Sequence, residues 1–303
     1  MELGLALQTD KHPQECVALA RRAEEGGFDV VSVIHDLLFQ PAIVPLCLIA
    51  RETERVRVGP AALNPYTLHP VEIAGQIAAL DLVSHGRAYL GLVQGAWLDR
   101  IGLARGQSLA ALQEAVEVIH RLLAGDHRGF DGQYFSLASG AGLRFQPLRS
   151  RLPLMIGTWG KRTATWAATV ADEVKIGGCA NPEMVALMRE WLGPEIGLVA
   201  GAVTVVDEDG KAARQRARAE VGMYLEVVRD LDPTLPRGKP APVDRFTLAG
   251  TPEEVAERAS ELFRAGATRV EFGPPQGLSC ESGVRLLCQR VLPLLRESSI
   301  EGG

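Results

Sequence analysis

The sequence predicts an α/β fold: a single (β/α)8 TIM barrel with one insertion after its fourth helix. Three observations carry that expectation. Short apolar runs alternate with helix-period patterns along the whole chain, which implies a parallel sheet with helices between its strands. The alternation gives eight units with no Pro/Gly/Ser-rich linker between them, and eight such units imply closure of the sheet. The length, 303 residues, suits one undivided barrel, so residues 1–303 are expected to form one domain.

The elements follow in order. Residues 2–7 read as a strand, and 13–25 as a helix that Gly26 and Gly27 end. Residues 29–34 (DVVSVI) are rich in β-branched side chains and read as a buried strand. A helix over 41–54 and a strand over 56–59 come next. Residues 70–82 place Ile73, Ile77 and Leu80 on one helical stripe, and 87–94 form the fourth strand. The helix over 108–123 is the most regular: Leu109, Leu112, Val116, Ile119 and Leu123 advance by threes and fours. Residues 125–151 break the rhythm with glycines, Tyr134-Phe135 and Pro147, and read as an insertion containing a small hairpin. Strand 152–157, helix 161–170, strand 172–177, helix 182–192, strand 196–206 and helix 211–229 resume it. After a proline-rich excursion over 231–244, Thr251, Pro252 and Glu254 have capping-box spacing for a helix to Gly266. Strand 269–272 and helix 282–295 complete the barrel.

Composition excludes several classes of function. The net charge of −5 and pI near 5.8 offer no basic footprint for nucleic acid or an anionic membrane. Lys211, Arg214, Arg216 and Arg218 are spread around a helix and read as solvated surface. The five cysteines show neither C-x-x-C pairs nor metal spacing beside histidine, so reduced thiols, no metal site and a cytoplasmic location are expected. Glu2, Asp10 and Lys11 do not suit a secretory leader. The apolar stretch 37–50 is short for a membrane span and holds Pro41 and Pro45.

Three segments carry a likeness. The first runs Gly59-Pro60-Ala61-Ala62-Leu63-Asn64-Pro65-Tyr66, then Thr67-Leu68-His69-Pro70. The second is LDLVSHGRAYLG over 80–91, and the third FTLAGT over 246–251, followed by Pro252-Glu253-Glu254-Val255. Together they resemble the luciferase-like monooxygenase superfamily, most closely its coenzyme F420-dependent methylenetetrahydromethanopterin reductase branch. The resemblance covers nearly the whole chain, with a shortened stretch around 221–245. It implies a flavin or deazaflavin oxidoreductase: coenzyme F420 (an 8-hydroxy-5-deazaflavin), with FMN as the alternative. It also implies a small-molecule substrate and a homo-oligomer, commonly a dimer.

The resemblance assigns site residues at the ends of strands, where such barrels keep their chemistry. The bond Ala61–Ala62 matches a non-prolyl cis peptide that backs the coenzyme ring, with Leu63 and Asn64 beside it. By themselves these residues describe only a strand end and an Asn-Pro turn. Gly157, Thr158, Trp159, Gly160 and Lys161 match the segment that holds the coenzyme phosphate. A glycine turn before a helix is a site for an anion, although a helix start with two exposed bases fits the same residues. Gln94, at the end of the fourth strand, is counted with the cofactor residues.

His35-Asp36 ends the second strand in the reverse of the family order, which changes the side chain that enters the mouth. Asp36 then serves as proton donor or acceptor, with His35 as its companion, or the pair anchors a loop; the two readings stand level. Ala6 and Ala96 stand where the reductases carry carboxylates, which argues against the same substrate chemistry. There is no H-E-x-x-H, nucleophile elbow or Walker loop. Three functions remain: F420-dependent hydride transfer, FMN-dependent oxygenation, or a barrel that binds a flavin without turnover.

Overall fold

A computed structural model describes residues 1–103, 108–228, 230–236 and 242–301. The chain begins with β1 (Glu2–Leu7), α1 (Pro13–Glu25), β2 (Val30–Val33), α2 (Ile43–Glu52), β3 (Arg57–Pro60), α3 (Pro70–Val83), β4 (Leu90–Leu92) and α4 (Leu109–Ala124). A hairpin, β5 (Phe130–Asp131) with β6 (Ser136–Leu137), precedes β7 (Leu154–Gly157), α5 (Lys161–Ala167), β8 (Glu173–Gly177), α6 (Pro182–Leu192), β9 (Gly197–Val206) and α7 (Gly210–Val228). The rest is β10 (Thr247–Gly250), α8 (Pro252–Arg264), β11 (Arg269–Gly277), α9 (Cys280–Leu286), a π-helical turn over Leu287–Val291, and α10 (Leu292–Glu301).

The long sheet runs β3-β2-β1-β11-β9-β8-β7-β4, and every pairing in it is parallel. Parallel bridges Val58–Ala88 and Leu63–Leu92 join β3 to β4. The eight expected strands thus make the expected barrel. Strand alternation sorts its side chains. Leu3, Leu5, Leu7, Val31, Val33 and Val58 pack with the surrounding helices, while Val30, Tyr89, Met155 and Val199 form a small cluster inside the barrel.

Helix starts follow local chemistry. His69 Nδ1 accepts from Val71 N–H before Pro70. Ser108 caps α4 and Asn181 caps α6. Thr251 and Glu254 form the expected capping box of α8, satisfying backbone donors that a helix start leaves open. Arg214 pairs with Glu254 and Arg216 with Glu220, each at 2.6 Å. This basic run is a surface of ion pairs.

The 80–91 motif is a structural clasp. Arg87 donates to the carbonyls of Ala50 (2.6 Å), Thr53 (2.8 Å), Val56 (2.8 Å) and Ser84 (2.9 Å). Asp81, 1% exposed, is met by Arg149 at 3.0 and 2.5 Å. Arg149 thereby ties the connection after β6 to α3. The hairpin itself hangs on Glu114 of α4, which accepts from the N–H groups of Gln133, Tyr134 and Phe135 at 2.9, 2.7 and 3.0 Å.

Two features differ from expectation. β4 covers only Leu90–Leu92, paired there with β7, while its contact with the β3 side consists of the isolated bridges Val58–Ala88 and Leu63–Leu92. FTLAGT contains a ninth parallel strand, β10, paired with the upper half of β9 at 203–206. β10 lies between the proline-rich excursion and the capping box of α8, and the sequence pattern showed only the helix that follows. Residue 229 of the expected helix, and 237–241 of the proline-rich excursion, lie outside the described residues. Among the described residues, no helix is long and apolar enough to cross a membrane.

Candidate active site at the barrel mouth

Four barrel strands open with an inward charge: Glu2, Arg57, Glu173 and Arg269. Arg57 meets Glu2 at 2.6 Å and Glu173 at 3.1 Å, and Arg269 meets Glu173 at 3.1 Å. Arg269 also lies 5.6 Å from the centre of the Tyr89 ring. These charges close the floor of the barrel.

One layer higher, Lys175 of β8 pairs closely with Glu271 of β11. Glu271 accepts from Ser32 at 2.5 Å, and Ser32 shares a 2.7 Å bond with Tyr89. Burial alone would raise the Glu271 carboxyl, but Lys175 and Arg269 hold it below the usual range. Burial pushes the Tyr89 phenol up, with the Glu271 charge adding to it. Glycines make room for this layer. A Cβ on Gly201 would stand 2.8 Å from Lys175 Cε, and one on Gly4 would stand 3.1 Å from Glu271 Cγ.

The mouth lies above. Asp36 turns toward the ends of β1 and β8. Its Oδ2 accepts from Gln8 Nε2 at 2.8 Å, and Lys175 and His35 act on its charge. Burial raises the Asp36 carboxyl above the ordinary range against those three influences. His35 faces the other way, its Nδ1 accepting from Ala42 N–H at 3.3 Å where α2 begins. Burial lowers its imidazole, with Asp36 opposing. The reversed pair therefore divides its labour: the carboxylate enters the mouth and the imidazole fixes the loop.

At the third strand, the Ala61–Ala62 peptide is cis, and both alanines are partly exposed. Leu63 is buried at 3% exposure, and its backbone bridges to Gly91 and Val93. Asn64 Oδ1 accepts from Tyr66 and Thr67 N–H at 3.0 and 2.9 Å, which fixes the turn. Gln94, half-buried, follows β4.

The turn after β7 has an open part and a closed part. A Cβ on Gly160 would meet only Thr158 Oγ1, at 3.9 Å, and one on Gly177 would meet nothing within 4 Å. Thr158 Oγ1 accepts from Gly160 N–H at 3.0 Å, and Lys161 is exposed as α5 begins. Gly157 is closed by Val93, whose Cγ1 stands 2.5 Å from an added Cβ. Trp159 is turned inward, donating Nε1 to the Gly177 carbonyl at 2.9 Å and lying 6.4 Å from Phe246. Its indole braces the turn.

Sequence reasoning missed Gln8, Lys175 and Glu271. A usable signal existed: Glu173 and Lys175, like Arg269 and Glu271, are charges two residues apart in otherwise apolar strands, hence on one face. Two further grooves, of about 660 and 740 Å3, are bordered by α7 and α8 and by α4 and α5, the second lined in part by Lys161.

Residues 1–269 match the family described as luciferase-like monooxygenase. The chain is 27% identical to 5,10-methylenetetrahydromethanopterin reductase of Archaeoglobus fulgidus, over 98% of this chain and all of the relative. It is 26% identical to an F420-dependent glucose-6-phosphate dehydrogenase of Microbacterium testaceum, over 94% of each chain. Its fold is similar to the solved coenzyme F420-dependent tetrahydromethanopterin reductase of Methanopyrus kandleri, with a TM-score of 0.85 and 24% identity over 96% of this chain and 98% of that one.

Proposed function

We infer that this chain, which belongs to the luciferase-like monooxygenase family, is an oxidoreductase that uses coenzyme F420 to move hydride to or from a small organic substrate. One observation carries this reading. The chain matches, nearly end to end, relatives named for different substrates, one a pterin and one a sugar phosphate. The dehydrogenase and the solved reductase are both named as F420-dependent. The shared feature is the coenzyme.

The turn after β7 is open on the side where we place such a group. Gly160 and Gly177 leave open the space that side chains would fill, whereas glycines lower in the barrel are covered by their neighbours. We assign the ring to the backbone around Ala61, Ala62, Leu63 and Asn64, with Gln94 beside it. The phosphate belongs with Gly157, Thr158, Gly160 and Lys161, and Trp159 holds their turn in shape. When bound, F420 supplies the carbon that gives or takes the hydride, and the protein supplies orientation and electrostatics.

Reduction of a carbonyl, imine or alkene consumes a proton besides the hydride, and we assign that proton to Asp36. Burial shifts its carboxyl toward the protonated form, the direction in which a general acid is tuned. His35 holds the loop that carries it. Ala6 and Ala96, in place of the carboxylates expected by resemblance to the reductases, separate this substrate from theirs. We also propose that the protein acts in the cytoplasm as a homodimer, which light scattering tests.

The deciding experiment is titration of the purified protein with oxidised F420, reduced F420 and FMN. Binding of F420 in both states, with FMN much weaker, is the expected result. Preference for FMN would favour an oxygenase, and binding of neither would overturn the proposal.

A further inference from the structure

Gln8, the residue after β1, is 5% exposed, and its carbonyl, Oε1 and Nε2 all make hydrogen bonds. Its carbonyl accepts from Lys11 Nζ at 2.8 Å, with Cys16 Sγ 4.0 Å away. Its Oε1 accepts from Thr9 N–H at 2.8 Å, and its Nε2 donates to Asp36 Oδ2 at 2.8 Å. A backbone N–H only donates, so it selects the carbonyl end of the amide and leaves the NH2 end facing Asp36. The amide cannot flip without setting donor against donor at Thr9.

We propose that Gln8 is a positioning residue that holds Asp36 Oδ2 as a permanent acceptor and leaves Oδ1 as the oxygen that carries the reactive proton. The inference rests on the assignment of Asp36 as the proton donor. An oxygen that accepts from a fixed N–H is a poor seat for the proton, so the protonated acid presents its O–H from the opposite oxygen. The other charged groups acting on Asp36 are His35 on its own strand end and Lys175 from β8. The first is held by Ala42 and the second by Glu271. Gln8 also stabilises the ionised form, which tempers the effect of burial and keeps the proton transferable.

The test begins with the coenzyme-free protein. Carbon-13 NMR titration of the labelled aspartate carboxyls, assigned with Asp36→Asn, reads Asp36 in the wild type, Gln8→Leu and Gln8→Glu. Gln8→Leu removes the donor and should raise the Asp36 midpoint by roughly one pH unit. Gln8→Glu keeps an acceptor for Thr9 and sets a second acid against Asp36, so the pair should titrate in two coupled steps, the upper one above the wild-type midpoint. In turnover, the basic limb of the pH profile should move up in Gln8→Leu, while the KM for coenzyme stays within twofold. If Gln8→Leu fails to fold, the nearly isosteric Gln8→Glu still decides. An Asp36 midpoint unmoved in every folded variant overturns the proposal. Absence of F420 binding in the wild type instead overturns the functional reading, and the apo titration remains interpretable.

Discussion

The floor and the mouth of this barrel both carry ionisable side chains, but they treat them in opposite ways. On the floor Glu2, Arg57, Glu173 and Arg269 pair with one another, although the buried Arg269 Nε has no hydrogen-bond partner. In the mouth Asp36 has an amide for its hydrogen-bond partner, and the nearby ammonium of Lys175 is drawn down to Glu271. Glycines divide in the same way. A Cβ on Gly59 would collide with the Tyr89 ring at 2.5 Å, while one on Gly177 would enter open space. One end is closed by mutual ion pairs, and the other leaves open space beside its glycines.

The largest expected effect would break the comparison at the mouth. Asp36→Asn keeps the shape and the bond from Gln8 and should lower turnover roughly 10²–10⁴-fold, with coenzyme affinity little changed. The same variant has a stability signature. Because the folded carboxyl titrates above its ordinary value near 3.9, its contribution is complete below that pH and is lost as pH rises through the folded value. Melting curves should therefore show Asp36→Asn more stable than the wild type at pH 7 and equal to it near pH 3. Equal melting at both pH values would mean that the site does not penalise the charge.

On the floor, Arg269→Met should cost roughly 3–5 kcal/mol in urea unfolding, because it strands buried carboxylates without their partner. Coenzyme titration of the folded fraction should be unaffected. A glycine pair sharpens the contrast further. Gly59→Ala should destabilise by about 1–3 kcal/mol through overpacking, whereas Gly177→Ala should stay within about 0.5 kcal/mol and weaken coenzyme binding. Gly160→Val is expected to act on the ligand alone. Its stability should match the wild type, with affinity for F420 down roughly tenfold, about 1.4 kcal/mol. Unchanged affinity there would move the phosphate to another part of the mouth.

The barrel was legible because its signals are local and repeated: strand composition, helix stripes, and caps such as Thr251 with Glu254. The reversal at His35-Asp36 was visible as well, and with it the expectation that Asp36 faces the mouth, but not whether the pair only anchors a loop. That depends on how the loop leaves β2, and Ala42 N–H settles it by capturing the imidazole. Gln8 was invisible for a different reason. Its role comes from meeting a residue 28 positions away, a contact made only when β1 and β2 pair. The 80–91 motif contributes differently. It carried the family resemblance strongly, yet Asp81 and Arg87 serve the scaffold.

One strand stands taller than its neighbour. β9 is ten residues long, and β8 covers one of its edges only along 197–201. Left alone, the upper part of that edge would be a row of free amide and carbonyl groups, a template for pairing with another molecule. β10 occupies it at 203–206, while β11 pairs with the opposite edge as far as Val206. The excursion through α7 thus returns to seal the chain's own exposed seam. Variants that loosen β10 should be read first for aggregation, before any fall in their activity is blamed on the mouth.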